Sequence, residues 1–170
     1  MRLSSGSRKQ LRLTQWNYKS TGYYFVTLCV EGKQCLFGNI ENGLMRLNEI
    51  GQMIDKACKM LPTVYSGIVL DCHIVMPNHL HAIIVIEDNG LGTINSLFDI
   101  IRKFKTYTMN LYKRGVHEMG WMKYDKRLWQ RSYYEHIIRN ESSLENIREY
   151  IINNPVKWDL DSENPKNKKS

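Results

Sequence analysis

Apolar residues along this 170-residue chain first separate into short runs that are typical of β-strands. Residues 23–30 are β-branched and aromatic, which predicts a buried strand. Residues 36–47 hold two short apolar pieces around an Asn-Gly pair, a strong signal for a β-hairpin. Residues 64–75 and 79–86 are predicted to form a second hairpin, joined by a Pro-Asn turn.

Three other segments place apolar residues at helical spacing. The first covers residues 50–61, with an Asn N-cap before it and a proline after it. The second covers residues 94–111. The third lies in residues 142–154, where Ser142 and Glu145 match a capping box and Pro155 ends the helix. The remaining segments are a predicted loop at residues 115–127 and a predicted strand at residues 128–138.

The order of these elements predicts an α+β fold. We expect an antiparallel sheet with the helices packed on one face, similar to the ferredoxin-like split βαβ arrangement. Residues 1–158 are expected to form one domain that includes a basic N-terminal arm at residues 1–20. Residues 159–170 are polar and lack apolar periodicity, so they are predicted to be a disordered tail.

The distribution of charge indicates a polyanionic partner. The net charge is +7, and it is concentrated in two segments. Residues 1–20 carry five basic residues and no acidic one, and residues 102–131 carry nine basic residues and two acidic ones. Both segments interleave Trp or Tyr, whose faces stack on unpaired bases while basic groups neutralise phosphates. We therefore predict nucleic-acid binding; a merely solvated basic surface is the alternative.

Other classes of protein are disfavoured by composition. No apolar run approaches the roughly 18–20 residues of a membrane span, so no membrane partner is expected. No apolar signal-peptide core follows the basic N-terminus, which predicts a cytoplasmic location. The four cysteines have no CxxC spacing and are interpreted as reduced residues, not as a zinc site or disulfide frame.

The strongest chemical signal is the pair His79 and His81 at the start of a predicted strand. Side chains alternate along a strand, so both imidazoles point to one face while Leu80 points to the other. Two imidazoles on one face can bind one metal ion and leave positions open for a substrate. The alternative is a pair of ordinary half-exposed histidines opposite a buried face.

The last predicted helix offers a possible nucleophile and a third ligand. Tyr150 lies about 90° from the centre of the apolar stripe, at the rim between core and surface. Asn154 lies one turn later on the same side, and its amide oxygen suits Mg²⁺ or Mn²⁺. A phenol can attack a phosphodiester when a divalent ion polarises the phosphate. On spacing alone, an ordinary rim tyrosine is the more common interpretation.

Three segments together resemble a known family. Residues 76–81 (MPNHLH) fit a His-hydrophobe-His motif after a proline turn, and residues 128–140 are similar to a Trp-Gln block. Residues 150–157 are similar to a catalytic helix that ends in Asn-Pro. The chain resembles the HUH single-tyrosine transposases, most closely the REP-associated tyrosine transposases of bacteria. The resemblance covers residues 23–158, nearly the whole chain.

This resemblance implies a definite chemistry. Such enzymes bind single-stranded DNA that contains hairpins, cleave it through a tyrosine that becomes joined to the 5′-phosphate, and rejoin strands. Carried over by position, Tyr150 is the expected nucleophile, and His79, His81 and Asn154 are the expected ligands of Mg²⁺ or Mn²⁺. Related insertion-sequence transposases often have Gln where this chain has Asn154, and they act as dimers. The REP-associated branch can act as a monomer, so both assembly states stay open.

Candidate DNA contacts lie mainly in the second basic segment. They are Arg102, Lys103, Lys105, Trp129, Gln130, Arg131 and His136. Trp129 equally suits core filling. Tyr133 and Tyr134 are interpreted as core or DNA-stacking residues, with a nucleophilic role as the lesser option. Two other functions remain open: a non-catalytic module that binds single-stranded nucleic acid, and a metal-dependent hydrolase in which water attacks.

Overall fold

The computed structural model describes residues 21–88, 90, 96–124 and 126–167. The predicted basic arm at residues 1–20 and Ile94 of the second predicted helix lie outside the described residues. In chain order the strands and α-helices are β1 (Gly22–Cys29), β2 (Gly38–Glu41), β3 (Leu44–Leu47), α1 (Glu49–Lys59), α2 (Leu61–Val64), β4 (Ile68–Val75), β5 (His79–Ile86), α3 (Leu97–Glu118), β6 (Tyr134–Ile138) and α4 (Glu141–Asn153). Short 3-10 turns occur at Glu31–Lys33, Trp158–Leu160 and Pro165–Asn167.

Four strands form one antiparallel sheet in the order β4-β5-β1-β6. β5 is buried along its whole length. In the pairing of β1 with β5, Thr27 lies opposite His81 and Cys29 lies opposite His79. The predicted hairpin of β2 and β3 forms a separate two-stranded sheet. The register therefore places both histidines on one face, at the end of the sheet where β1 ends.

Helices cover both faces of the large sheet. α1 and α3 pack on the face that carries Leu80 and Ile84, where they form the larger core. α4 packs on the opposite face, where Ile151 contacts a smaller cluster that includes Phe25 and Ile83. The predicted antiparallel α+β class is confirmed, whereas α4 departs from the expectation that the helices share one face. The reason is that β5 has apolar side chains on both faces, Ile83 on one and Leu80 and Ile84 on the other, and each must be shielded from water.

The start of β4 and the end of α3 differ from the sequence predictions. Val64 belongs to α2, so β4 begins at Ile68 instead of residue 64. α3 runs through the first part of the predicted loop and ends at Glu118. Gly115 lies within this extension, and the Trp121 ring packs where a Cβ at that position would lie.

Two further boundaries differ near the last helix. β6 covers only Tyr134–Ile138, and Trp129 makes an isolated bridge to Val30 instead of belonging to a strand. α4 begins earlier than the predicted capping box, because the Asn140 side chain accepts a hydrogen bond from the Ser143 amide at 2.8 Å. The prediction of Ser142 as the cap is therefore wrong, since the asparagine two residues earlier satisfies the free amide.

The polar segment after α4 is folded, so the prediction of a disordered tail is wrong for residues 159–167. The side-chain amide of Asn78 donates to the backbone carbonyl of Glu163 at 2.8 Å, and Lys33 Nζ donates to the backbone carbonyl of Ser162 at 2.8 Å. Asn164 is buried and donates to the Trp158 carbonyl at 3.0 Å. Polar side chains bonded to backbone groups order this segment, and apolar periodicity does not report such bonds. None of the described helices has the length and apolar character needed to cross a membrane.

Candidate active site

His79 and His81 face each other on the sheet face that α4 covers. Their side chains are 0% and 4% exposed, and their Nε2 atoms are 3.0 Å apart. β5 positions both rings, because alternate residues of a strand share a face. The pair predicted from sequence is therefore brought together as expected.

Each histidine ring is held in place by a hydrogen bond at its second nitrogen, Nδ1. His79 Nδ1 donates to Asn78 Oδ1 at 2.9 Å, and Asn78 is itself fixed by its Nδ2 hydrogen bonds to the Lys33 and Glu163 carbonyls. His81 Nδ1 is hydrogen-bonded to Thr27 Oγ1 at 2.8 Å. A proton held at Nδ1 leaves the Nε2 lone pair available, which is the arrangement that metal-binding histidines use.

Burial keeps both imidazoles in the neutral form. Desolvation lowers the pKa of His81 well below its ordinary value, and the nearby His79 lowers it further. Desolvation also lowers the pKa of His79, although Asp161 and Glu163 act in the opposite direction. Neutral imidazole is the form that binds metal ions.

Tyr150 reaches the histidine pair from α4 of the same chain. Its Oη lies 3.5 Å from His81 Nε2, and its ring meets Phe25 edge to face. The residue is 42% exposed, so the phenol side chain is not enclosed in the core. Burial raises the pKa of Tyr150, with Asp161 as a further cause, so the phenol is protonated at neutral pH. Attack by this oxygen therefore requires help with removal of the proton.

Asn154 lies at the C-terminal end of α4 and is buried beside the same group of side chains. Its amide is close enough to shift the pKa of both His79 and Tyr150. Among the described residues, Asn154 Oδ1 finds no hydrogen-bond partner. A buried acceptor without a partner is costly in a folded protein and points to a missing ligand.

Sequence reasoning missed Asp161. Its Oδ2 lies 3.9 Å from His79 Nε2, and one ligand atom each of Asp161, His79 and His81 lie within 4.8 Å of one another. The carboxylate arrives on the folded segment after α4, which has no motif in the sequence. Only the path of that segment places it here, so no local signal could have identified it.

Cys29 also borders this site, opposite His79 in the sheet. Burial raises the pKa of its thiol to about 12, with the Glu163 carboxylate as the next cause. The thiol therefore keeps its proton at neutral pH.

Comparison with protein families assigns this chain to a known group. A family described as IS200-like transposase matches residues 18–154, which include the histidine pair, Tyr150 and Asn154. The chain belongs to this transposase family. The resemblance found in the sequence is confirmed, and DNA binding and transposition follow as the functions of the family.

Individual relatives extend the comparison. This transposase is 36% identical to an uncharacterised protein of Haemophilus influenzae over 171 residues, which is 91% of each chain. It is 26% identical over 117 residues to another H. influenzae protein, provisionally named a REP-associated tyrosine transposase, covering 65% of this chain and 60% of that one. A solved REP-associated tyrosine transposase bound to a REP hairpin shares the fold, with TM-score 0.60 and 22% identity over 86% of this chain and 74% of that chain.

The structure distributes the candidate DNA contacts of the transposase over several surfaces. His136 is exposed on β6 opposite Phe25, so it shares the face of the active site. Arg102 and Lys103 are exposed on α3, which covers the other face. Arg102 pairs with Asp99 at 3.3 Å, and Lys103 lies 5.3 Å from the centre of the Tyr65 ring.

Trp129 is only 4% exposed, which contradicts its prediction as a DNA contact. Its Nε1 donates to Thr108 Oγ1 at 2.9 Å, and its ring packs against Phe37 and Phe104. The alternative of core filling therefore holds. A buried indole has no open face on which a base could stack.

A basic groove runs beside Trp129, between α3 and the segment before β6. It has a volume of about 350 Å³, and its described lining includes four cations and no acidic residue: Lys105, Lys113, Arg127 and Arg131. Lys105 Nζ donates to the Gln130 carbonyl at 2.9 Å and the Ser132 carbonyl at 3.1 Å. The backbone N–H of Gln130 in turn donates to the backbone carbonyl of Cys29 at 2.9 Å. The groove is therefore attached to the end of the sheet that carries the histidines.

Proposed function

We propose that this transposase cleaves and rejoins single-stranded, hairpin-containing DNA through a covalent bond between Tyr150 and a 5′-phosphate. The observation that carries the proposal is the distance of 3.5 Å between Tyr150 Oη and His81 Nε2 within one chain. At this distance the phenol oxygen could reach a phosphate bound at the histidine pair. Because one chain supplies every residue, we further propose that a monomer is sufficient for cleavage.

The donor atoms fit a divalent cation. His79 Nε2, His81 Nε2, Asn154 Oδ1 and Asp161 Oδ2 would hold it, and the unpaired Asn154 oxygen is the group most in need of one. Two of the four donors are oxygens of an amide and a carboxylate, ligand types that suit Mg²⁺ and Mn²⁺, so we propose one of these two ions as the cofactor.

The reaction proposed for the chain is an in-line displacement at phosphorus. Tyr150 Oη forms the new bond to phosphorus, the bond to the 3′ oxygen breaks, and the phenol proton passes to solvent while the leaving oxygen gains one. The bound cation would polarise the scissile phosphate and stabilise its charge. Phe25 and α4 hold the phenol ring in place, so little freedom is lost when it attacks. The reverse displacement rejoins strands.

We propose that the DNA lies across both the sheet face that carries the candidate active site and the basic groove. Arg131, Lys113 and Gln130 would contact the phosphates of the paired stem, and His136 would contact the strand beside Tyr150. The structure of the related transposase with a REP hairpin supports a hairpin as the partner. Arg102 and Lys103 lie on the far helical face, so we assign them a smaller part in binding.

A denaturing-gel assay tests the proposal. The protein is incubated with labelled hairpin-flanked single strands and Mn²⁺ or Mg²⁺, and covalent adduct is measured. Tyr150→Phe is expected to abolish the adduct, while Tyr107→Phe, which removes a hydroxyl group from the other face, should leave it intact. Cleavage that survives Tyr150→Phe would instead identify a hydrolase, and binding without any cleavage would identify a binding module.

Two further variants examine the metal site and the assembly. His79→Ala should remove cleavage and leave hairpin binding largely intact, because phosphate contacts supply most of the affinity. Mixing His79→Ala with Tyr150→Phe should not restore the adduct if each chain works alone. Restored activity in the mixture would show that Tyr150 acts on the site of a second chain.

A further inference from the structure

A polar cavity lies directly beside the candidate active site. Its volume is about 430 Å³, within the range of small-ligand sites, and it separates the β2–β3 hairpin from the segment that follows α4. Pro77 and Pro155 are part of its lining. Pro77 lies two residues before His79, and Pro155 directly follows Asn154. A ligand in this cavity would therefore be a close neighbour of a phosphate bound at the histidines.

The chemistry of the lining suits an uncharged ring with polar edges. Trp158 supplies an aromatic wall, and its ring centre is 6.1 Å from that of His79. Asn39 and Asn42 on the hairpin supply amide groups that both donate and accept. One N–H of Asn39 donates to Glu41 Oε1 at 2.9 Å, so a ligand would meet its second N–H and its carbonyl oxygen. Lys166 and Asp159 contribute opposite charges, so the cavity has no excess of cations to attract a phosphate.

We infer that this cavity binds a single unpaired nucleobase next to the scissile phosphate, and that Asn39 and Asn42 read its edge. The inference rests on the proposed cleavage function and adds a source of sequence specificity to it. Stacking on an indole accepts any base, whereas an amide pairs best with adenine, whose N6 and N7 form an adjacent donor and acceptor. We therefore expect adenine to be the preferred base.

The cavity is held in shape before any DNA binds. The Phe37 amide donates to the Pro77 carbonyl at 3.0 Å, which ties the start of the hairpin to the turn before His79. Asn42 and Gly43 both have positive φ, as the tight Asn-Gly turn requires. The tip of the hairpin also approaches Val156 on the other side of the cavity. A preformed site can discriminate between bases because little ordering is needed on binding.

The test measures adduct formation on hairpin substrates that carry each of the four bases at the positions flanking the cleavage site. We expect one position to show a preference for adenine of about tenfold, corresponding to a single bidentate amide contact. In Asn39→Ala combined with Asn42→Gly, the rates for the four bases should converge to within about twofold. Glycine at position 42 keeps the positive φ of the turn, so the hairpin retains its shape. Gln52→Ala, on the exposed surface of α1, is the matched control and should keep the preference.

A second measurement does not depend on cleavage. The inactive Tyr150→Phe variant is mixed with hairpins that carry 2-aminopurine at the same positions, and fluorescence is recorded. Stacking on Trp158 should reduce the fluorescence at one position, and Trp158→Leu should restore it. Equal rates for all bases together with unchanged fluorescence at every position would overturn the nucleobase site while the adduct still forms. Absence of adduct on every substrate would overturn the proposed cleavage function instead.

Discussion

Thr27→Val provides a direct test of the proposed metal site, because it removes one oxygen and keeps the shape of the side chain. Thr27 lies opposite His81 in the sheet, is buried, and shares a 2.8 Å hydrogen bond with His81 Nδ1. Valine is also β-branched, so β1 should keep its conformation. The variant leaves the His81 ring buried with one nitrogen unpaired.

The size of the effect follows from that single lost partner. An unpaired buried polar group costs about 1–3 kcal/mol, so the free energy of unfolding should fall by roughly that amount. Loss of a group that orients a metal-binding histidine typically weakens metal affinity about 10–100-fold. The Mn²⁺ concentration that gives half-maximal adduct should therefore rise by about the same factor.

The assay is a Mn²⁺ titration of adduct formation, accompanied by hairpin binding in chelator and by urea unfolding. Hairpin affinity should not change, since Thr27 lies beneath the site and bears no charge. Thr63→Val, which removes an exposed hydroxyl group bonded to the Met60 carbonyl, is the control and should leave the Mn²⁺ requirement unaltered. A folded Thr27→Val protein with the same Mn²⁺ requirement as the parent would refute the role of His81 as an oriented ligand.

Three other predictions concern the surroundings of the site. Asp161→Asn should raise the Mn²⁺ requirement without changing hairpin affinity; no change in a metal titration would remove Asp161 from the ligand set. Arg148 binds both carboxylate oxygens of Asp71, at 2.9 and 2.6 Å, and joins α4 to β4. Asp71→Asn should therefore slow adduct formation at saturating DNA and metal. The double variant that exchanges the two residues, Asp71→Arg with Arg148→Asp, should recover part of the rate. An additive loss of rate in this double variant would contradict the positioning role. In chelator, stability should fall as the pH drops below about 6.5, because His79 and His81 have lowered pKa values in the folded state and bind protons more readily when unfolded. Urea titrations at pH 7.5 and pH 5 test this, and a His81→Gln variant that keeps the full pH dependence would contradict it.

Several elements of the site could be predicted because they depend on local periodicity. His79 and His81 share a face in any strand, and Tyr150 and Asn154 share a side in any helix. The Asn-Gly turn of the β2–β3 hairpin likewise depends only on the backbone freedom of its own residues. These relationships hold whatever the rest of the chain does, so the sequence alone reports them.

Other features could not be predicted because neighbours in space decide them. The apolar stripe of α4 and the apolar side chains on both faces of β5 show that both elements must pack against a partner. They do not say which face of the sheet α4 covers. Trp129 looks the same in sequence whether it stacks on DNA or fills a core, and its burial depends on Phe37 and Phe104. Packing choices of this kind depend on the shape of the assembled sheet.

By itself, the sequence of this transposase determined the chemical groups of the candidate site and their pairing within β5 and α4. Tertiary structure alone decided that Tyr150 meets His81, and that Asp161 approaches His79 from a folded polar segment. The physical reason is the range of the forces. Backbone geometry fixes which side chains share a face over a few residues, whereas burial of apolar surface and long-range hydrogen bonds determine which faces meet.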